Sequence, residues 1–419
     1  METHLADWII DTADGREAEA ILRTCVHCGF CNATCPTYQL LGDELDGPRG
    51  RIYQIKQVLE GSPPTATTQL HLDRCLTCTN CETTCPSGVR YGRLVEIGRA
   101  VVEERSPRPP AQQRQRALLR TALTNRWLFA TAVRLGRSLR FALPASLRSK
   151  LPPSRPSGER ARGVHARKVI LLKGCVQPML IPNIDAATSR VLDRFGIETV
   201  VAPGSGCCGS VDLHMSATAR AQARARQNID AWWPLVEAGA EAILINASGC
   251  TVTAKDYGHL LRDDAAYAER AERIAGLVRD IAEFVPPLLT DAAKTSLAPE
   301  APNRVAFHPP CTLQHTQKIR GTVESALRAL GAELVPVAEA HFCCGSAGTY
   351  SILQPELSQQ LRARKLENLQ RAKPDMILSS NIGCLTYIES AADVPVRHWI
   401  EWVDARLSKV TPSGFLARP

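Results

Sequence analysis

Two short stretches, CVHCGFCNATCP at 25–36 and CLTCTNCETTCP at 75–86, constrain this chain more than anything else in it. Each sets cysteines at successive steps of three, three and four residues and follows the last with proline. A lone CxxC would suit a zinc pair or a redox dithiol. Four thiolates this close are more restrictive. Three on a short turn can cap three irons of a cube, while the fourth sits too far along and serves a second cube in two-cluster proteins. The spacing therefore predicts two [4Fe–4S] clusters with crossed ligands. Cys25, Cys28, Cys31 and Cys85 would hold one, and Cys75, Cys78, Cys81 and Cys35 the other. Two four-cysteine zinc knuckles are the competing reading, but structural zinc sites usually pair two separated CxxC units.

Neither set offers an open iron or a non-cysteine ligand, so the pair reads as an electron relay with no catalytic residue. The flanking stretches REAEAILRT and GRIYQIKQVLEG carry a helical pattern, which predicts an all-α ferredoxin module over 1–105. The chain has 16 cysteines and opens on an acidic stretch without the features of a secretory peptide. A reducing, cytoplasmic setting follows, in which metal rather than disulfide accounts for the thiols.

Residues 106–165 form a basic linker bracketed by SPRPP and LPPSRPSGER, with a helix-permissive interior. From Ser106 to Lys150 there are ten Lys or Arg and no Asp or Glu, more positive charge than the net +8 of the whole chain. The remainder is therefore not basic, and nucleic acid is excluded as a partner. Arginines interleaved with Trp127, Phe129 and Phe141 fit a helix on an anionic membrane surface, or a linker packed on partner subunits.

Beyond 165 short apolar runs alternate with helical patterns, the signature of parallel βαβ units. This zone is duplicated, as 166–295 and 300–408. VILLKGC answers to VAFHPPC, GCCGS to FCCGS, and AEAILINASGC to PDMILSSNIGC. The step from Cys175 to Cys207 equals that from Cys311 to Cys343, 32 positions each. The cysteines fall at the ends of apolar runs, where ligands bind in open α/β sheets. Cys175, Cys207, Cys208 and Cys250 are thus expected to converge, and so are Cys311, Cys343, Cys344 and Cys384. Four thiolates suit iron–sulfur or zinc, and equally a set of small buried thiols without metal. The fold class expected is multidomain: a helical two-cluster ferredoxin domain, then a duplicated α/β cysteine-rich domain.

GSGCCG at 204–209 satisfies G-x-G-x-x-G, but it follows the second strand of its unit and copy two lacks the glycines. Asp230, at the distance of a ribose contact, sits inside a helical pattern, so no nucleotide site is read here. His308, His315 and His341, near the cysteines of copy two, are expected to be satisfied supporting groups, and His27 and Tyr38 to be packing residues.

The repeats resemble the cysteine-rich domain of heterodisulfide reductase-like proteins, whose closing CxxC completes five ligands for a non-cubane cluster. Ala247 and Asn381 stand where the first cysteine of that pair would be, so both copies lack the fifth. Over nearly its whole length the chain resembles the iron–sulfur subunits of bacterial glycolate oxidase (glycolate dehydrogenase). The likeness rests on ILRTCVHCGFCNATCPTYQLLGDELDGPRGRIYQIKQVLEG and HLDRCLTCTNCETTCPSGVRYGRL, with NIDAWWP, ASGC, CTLQH, CCGSAGTY, NIGC and VRHWIE. It implies a complex in which FAD-binding subunits oxidise glycolate to glyoxylate. This chain, binding neither FAD nor NAD, would pass electrons toward a quinone-type acceptor from the cytoplasmic face of the inner membrane. The alternative is a self-contained enzyme whose cysteine-rich site reduces a disulfide or related small substrate.

Overall fold

The computed structural model describes residues 1–142, 151–152, 154–292 and 304–407. The last part of the basic segment, 143–150, and the expected junction between the repeats lie outside the described residues.

Residues 1–105 are helices joined by turns, with no strand among them. Thr12 caps the helix Ala13–Thr24 by accepting a hydrogen bond from the Gly15 amide, and Pro48 opens Pro48–Leu59 where a missing N–H costs nothing. Ile52, Ile55 and Leu59 recur at helical spacing and meet Leu94, Val95 and Val102 of Tyr91–Arg105 in one core. Each such side chain, fully buried, contributes about 1.5–3 kcal/mol. The two helices approach closely because Gly98 has no side chain: a Cβ there would lie 2.6 Å from Ile55 Cγ1.

The basic segment forms helices Pro110–Thr124 and Arg126–Ser138, with the Asn125 side chain capping the second through the amides of Trp127 and Leu128. Its charge is partly spent on its neighbours. Arg108 pairs with Asp73 at 2.6 Å and with Glu103 at 2.6 Å, and Arg116 also reaches Asp73. Arg120 donates to the Met215 carbonyl and Arg137 to the Leu180 carbonyl. The segment straps the ferredoxin module to the first repeat.

Each repeat carries a four-stranded, all-parallel sheet. β1 (Arg167–Leu171), β2 (Ile197–Val200), β3 (Ala242–Ile245) and β4 (Val278–Asp280) run in the order β2-β1-β3-β4. β5 (Arg304–His308), β6 (Glu333–Leu334), β7 (Met376–Ser379) and β8 (Val396–His398) repeat that order as β6-β5-β7-β8. Strand order reverses between β1 and β3, and between β5 and β7, which leaves a crevice beyond their carboxyl ends. A continuous core from Val169 and Leu244 to Leu378 and Trp399 joins the repeats. Their cysteine loops abut, with Ser248 Oγ 2.7 Å from Thr312 Oγ1 and the Ser248 amide 3.4 Å from the Ser380 carbonyl.

Candidate metal centres

The first three cysteines of each block lie on a turn that bends through left-handed backbone. His27 and Gly29 have φ of 59° and 85°, and the matching Thr77 and Thr79 have φ of 53° and 54°. Alternation of this kind turns amide N–H groups inward and makes an anion-binding concavity, suited to a cluster held by thiolates. Cys25, Cys28, Cys31 and Cys85 line one small cavity that extends as far as Cys81. In the other set, Cys78, Cys35 and Cys75 are the charged neighbours of Cys81. The fourth cysteine of each block thus stands beside the triad of the other, and a donor set of four thiols around each centre fits a [4Fe–4S] cluster.

The two surroundings differ. Burial and the neighbouring thiols push Cys31 up to about 11, and burial also raises Cys25. Burial alone would raise Cys75 too, yet the Arg51 and Arg99 guanidinium groups hold it below its ordinary value. The Tyr91 hydroxyl donates to Cys75 Sγ at 3.5 Å and the Thr77 amide at 3.4 Å. Arg51, itself buried, pairs with buried Asp46 at 3.2 Å and donates to the His71 carbonyl at 2.7 Å. Hydrogen bonds and cations beside the sulfurs would favour the more reduced state of a cluster held there. Cys28 is exposed, and Val26, Phe30 and Tyr53 leave an apolar surface around the first centre.

The second centre faces the repeats. Leu76 and Cys78 pack with Cys311, Phe342, Cys343 and Tyr350 in one apolar cluster, and Thr79 Oγ1 meets Thr316 Oγ1 at 2.7 Å. Beyond it lies a cavity of about 1100 Å³ lined by Cys75 and Cys78 and by every cysteine of both repeats. The sequence predicts two separate convergence points; the structure brings both quartets to one shared cavity because the carboxyl ends of the two sheets face each other. Within each quartet the thiols stand in series. Cys175 is pushed up by Cys207 and by burial, and Cys208 by its neighbours Cys207 and Cys250. In the second repeat Cys311 is raised by Cys343 and by burial.

Among the other residues singled out, Asp230 accepts from the Tyr267 hydroxyl and the Arg270 guanidinium at the surface. His315 is a satisfied supporting group, with Nδ1 3.1 Å from Thr83 Oγ1 and Nε2 2.9 Å from the His341 carbonyl. His308 is not. Its Nδ1 lies 3.0 Å from Ser379 Oγ, but its buried Nε2 has no hydrogen-bond partner. Sequence reasoning also misses Arg51, Arg99, Tyr91 and Lys365. Lys365 is 1% exposed, and its ammonium donates to the Glu339 and Ala340 carbonyls beside the second quartet. The signal was there: it stands on the apolar stripe of its helix, Leu357, Leu361, Lys365, Leu369, as Arg51 does on the buried face of Pro48–Leu59.

Fold and site together define an iron–sulfur protein with a helical cluster-binding module ahead of a duplicated cysteine-rich α/β domain. Residues 21–89 match the 4Fe-4S dicluster domain family, and 169–255 and 305–389 each match the cysteine-rich domain family CCG. The chain is 52% identical over 98% of its length to the glycolate oxidase iron-sulfur subunit of Escherichia coli, of which all is covered. It is 31% identical over 88% of its length to the probable glycolate oxidase iron-sulfur subunit of Bacillus subtilis, of which 89% is covered. Lactate utilization protein A of Geobacillus thermodenitrificans is 28% identical over 53% of this chain and 90% of its own. The chain belongs to the family of glycolate oxidase iron–sulfur subunits.

Proposed function

We propose that this chain is the electron-transfer subunit of a flavin-dependent glycolate dehydrogenase, linking FAD-binding subunits to a quinone-type acceptor. Cys25, Cys28, Cys31 and Cys85 would hold the first [4Fe–4S] cluster, and Cys75, Cys78, Cys81 and Cys35 the second. When bound, each cluster supplies a one-electron centre. The observation that carries the reading is the order of the two sites: the first is open to the surface at Cys28, and the second is buried against the cavity between the repeats. Val26, Phe30 and Tyr53 offer the flavoprotein an apolar landing surface, while Arg51 and Arg99 favour electron residence at the inner site.

A quinone lies in the bilayer, and no helix among the described residues is long and apolar enough to cross a membrane. Peripheral attachment through the basic segment would meet this need. Trp127 is 82% exposed and Phe141 81%, among exposed Leu118, Leu128 and Leu135. Among the arginines of Arg126–Ser138, Arg134 is exposed, whereas Arg137 is occupied by the Leu180 carbonyl and serves the fold instead. The test of the whole reading is co-purification of the chain with its flavoprotein subunits, followed by glycolate addition without oxygen. Reduction of both iron–sulfur signals is expected. A complex whose flavin reduces while the clusters stay oxidised would overturn it.

The shared cavity favours one second reading, a self-contained reductase of a disulfide or related small substrate. Disulfide reduction by the isolated chain with an artificial electron donor would support it.

A further inference from the structure

The two cysteine-rich repeats are not chemically equivalent, although their strands follow the same order. Aligned on their CCG elements and on the loops that open each unit, His308 stands where the first repeat has Leu172, and Lys365 where it has Ile229. Leu172 and Ile229 are buried apolar residues, whereas His308 and Lys365 put two nitrogen groups beside the thiols of the second repeat.

His308 closes β5 and is 1% exposed. The Ser379 hydroxyl donates to the His308 carbonyl at 3.2 Å, so its oxygen is left to accept the Nδ1 proton across 3.0 Å. That fixes the tautomer: Nδ1 carries the hydrogen and Nε2 an unused lone pair. Nε2 is buried and has no partner, an arrangement that is unfavourable when nothing occupies it. A ring nitrogen of His308 and the sulfurs of Cys344 and Cys384 lie within 4.8 Å of one another. With Nδ1 engaged by Ser379, Nε2 is the nitrogen available. Tetrahedral ligands at about 2.0 Å for nitrogen and 2.3 Å for sulfur stand roughly 3.5–3.8 Å apart, so a small contraction closes the set.

We propose that the second repeat holds a mononuclear divalent ion of the zinc class on His308, Cys344 and Cys384. The fourth position opens onto the cavity, which Cys344, Cys384 and Cys311 all line. Binding displaces one proton from each of the two thiols. The neutral imidazole, two thiolates and a divalent cation then sum to zero charge. The Asn381 side-chain amide, at the position of the missing fifth cysteine, donates to Cys384 Sγ at 3.8 Å and orients that ligand. A histidine anchored through its other nitrogen is the usual arrangement at a metal. The first repeat, with Leu172 in place of the imidazole, lacks this site.

The test counts zinc beside iron in full-length protein, purified without oxygen, washed with a mild chelator and dialysed against zinc. Wild type is expected to keep about one zinc per chain in addition to its iron. His308→Leu, which installs the side chain of the first repeat, should lose the zinc and keep the iron. Cys208→Ala should keep both. Ser379→Ala leaves the ligands in place and should weaken zinc about 10–100-fold by freeing the imidazole. Cobalt bound instead of zinc should show thiolate-to-metal absorption that His308→Leu abolishes. Zinc absent from wild type, or retained by His308→Leu in an all-sulfur site, overturns the proposal. So does iron lost from His308→Leu, which would place the imidazole on a cluster. The iron count reads the two cubane sites separately, so failure of this proposal is distinguishable from failure of the relay.

Discussion

Thr34 and Thr84 stand at the same step of the two cysteine blocks, one residue before the fourth cysteine of each, and their hydroxyl oxygens lie 2.9 Å apart. Equivalent residues meet in this way only across a local two-fold relation. The Asn80 side chain tightens the contact by donating to the Thr34 carbonyl at 3.0 Å. Once the blocks are joined back to back at this point, Cys35 and Cys85 emerge on each other's side. The crossing expected from spacing thus has a local cause: the polypeptide has passed the contact before the fourth thiol is reached.

Arg99 is the most direct lever on the inner centre. Its guanidinium donates to the Leu72 and Cys75 carbonyls and to Thr77 Oγ1, and it favours the Cys75 thiolate. Arg99→Gln is expected to lower the potential of the second cluster and leave the first unchanged, while Arg99→Lys keeps most of the charge and most of the potential. A redox titration followed by electron paramagnetic resonance checks both.

A pH-dependent strain sits at Asp280, the last residue of β4. It is fully buried, accepts from Thr251 and from Gln317 of the other repeat, and is pushed up by burial to about 6. An acid whose folded value is raised binds its proton more tightly when native, so its stabilising protonated form is lost as pH rises from about 4 to 6. Asp280→Asn cannot titrate. Its stability relative to wild type should rise across that window by ~1–3 kcal/mol and stay flat above it, on top of a constant offset from altered hydrogen bonding. Thermal unfolding of the two proteins across a pH series reads the difference.

Membrane attachment, if it uses the exposed face of Arg126–Ser138 and the turn after it, should need both charge and apolar surface. Each arginine near an anionic surface is worth on the order of 1 kcal/mol, screened by salt. Trp127→Ser with Phe141→Ser should abolish flotation with anionic phospholipid vesicles at any salt. Arg134→Gln with Arg140→Gln should weaken it mainly at low salt. Equal flotation of wild type and both variants would assign this face to a partner subunit.

How far the sequence reached depended on the range of the physics involved. The cysteine blocks, the duplication and the placing of cysteines at strand ends are short-range patterns, and β1, β3, β5 and β7 stand on the apolar runs VILLKGC, AEAILINASGC, VAFHPPC and PDMILSSNIGC, whereas the edge strands β4 and β8 carry no such signal. What it did not show depends on packing. That both cysteine quartets share one cavity follows from how two sheets face each other. The free charge expected of the basic segment is reduced because Asp73, 35 residues before Arg108, reaches both Arg108 and Arg116, and Glu103 also pairs with Arg108. The expectation that His308 is satisfied failed on one proton: which nitrogen is free depends on Ser379, 71 residues away.

The central claim is that two cubanes are held by crossed thiolates in series. Mössbauer and electron paramagnetic resonance spectra of Cys35→Ser and Cys85→Ser, purified without oxygen, test it most directly. The account predicts that Cys35→Ser perturbs only the higher-potential cluster, on Cys75, Cys78 and Cys81, and that Cys85→Ser perturbs only the lower-potential one, on Cys25, Cys28 and Cys31. Each variant damaging the cluster of its own block, with the other intact, would contradict it.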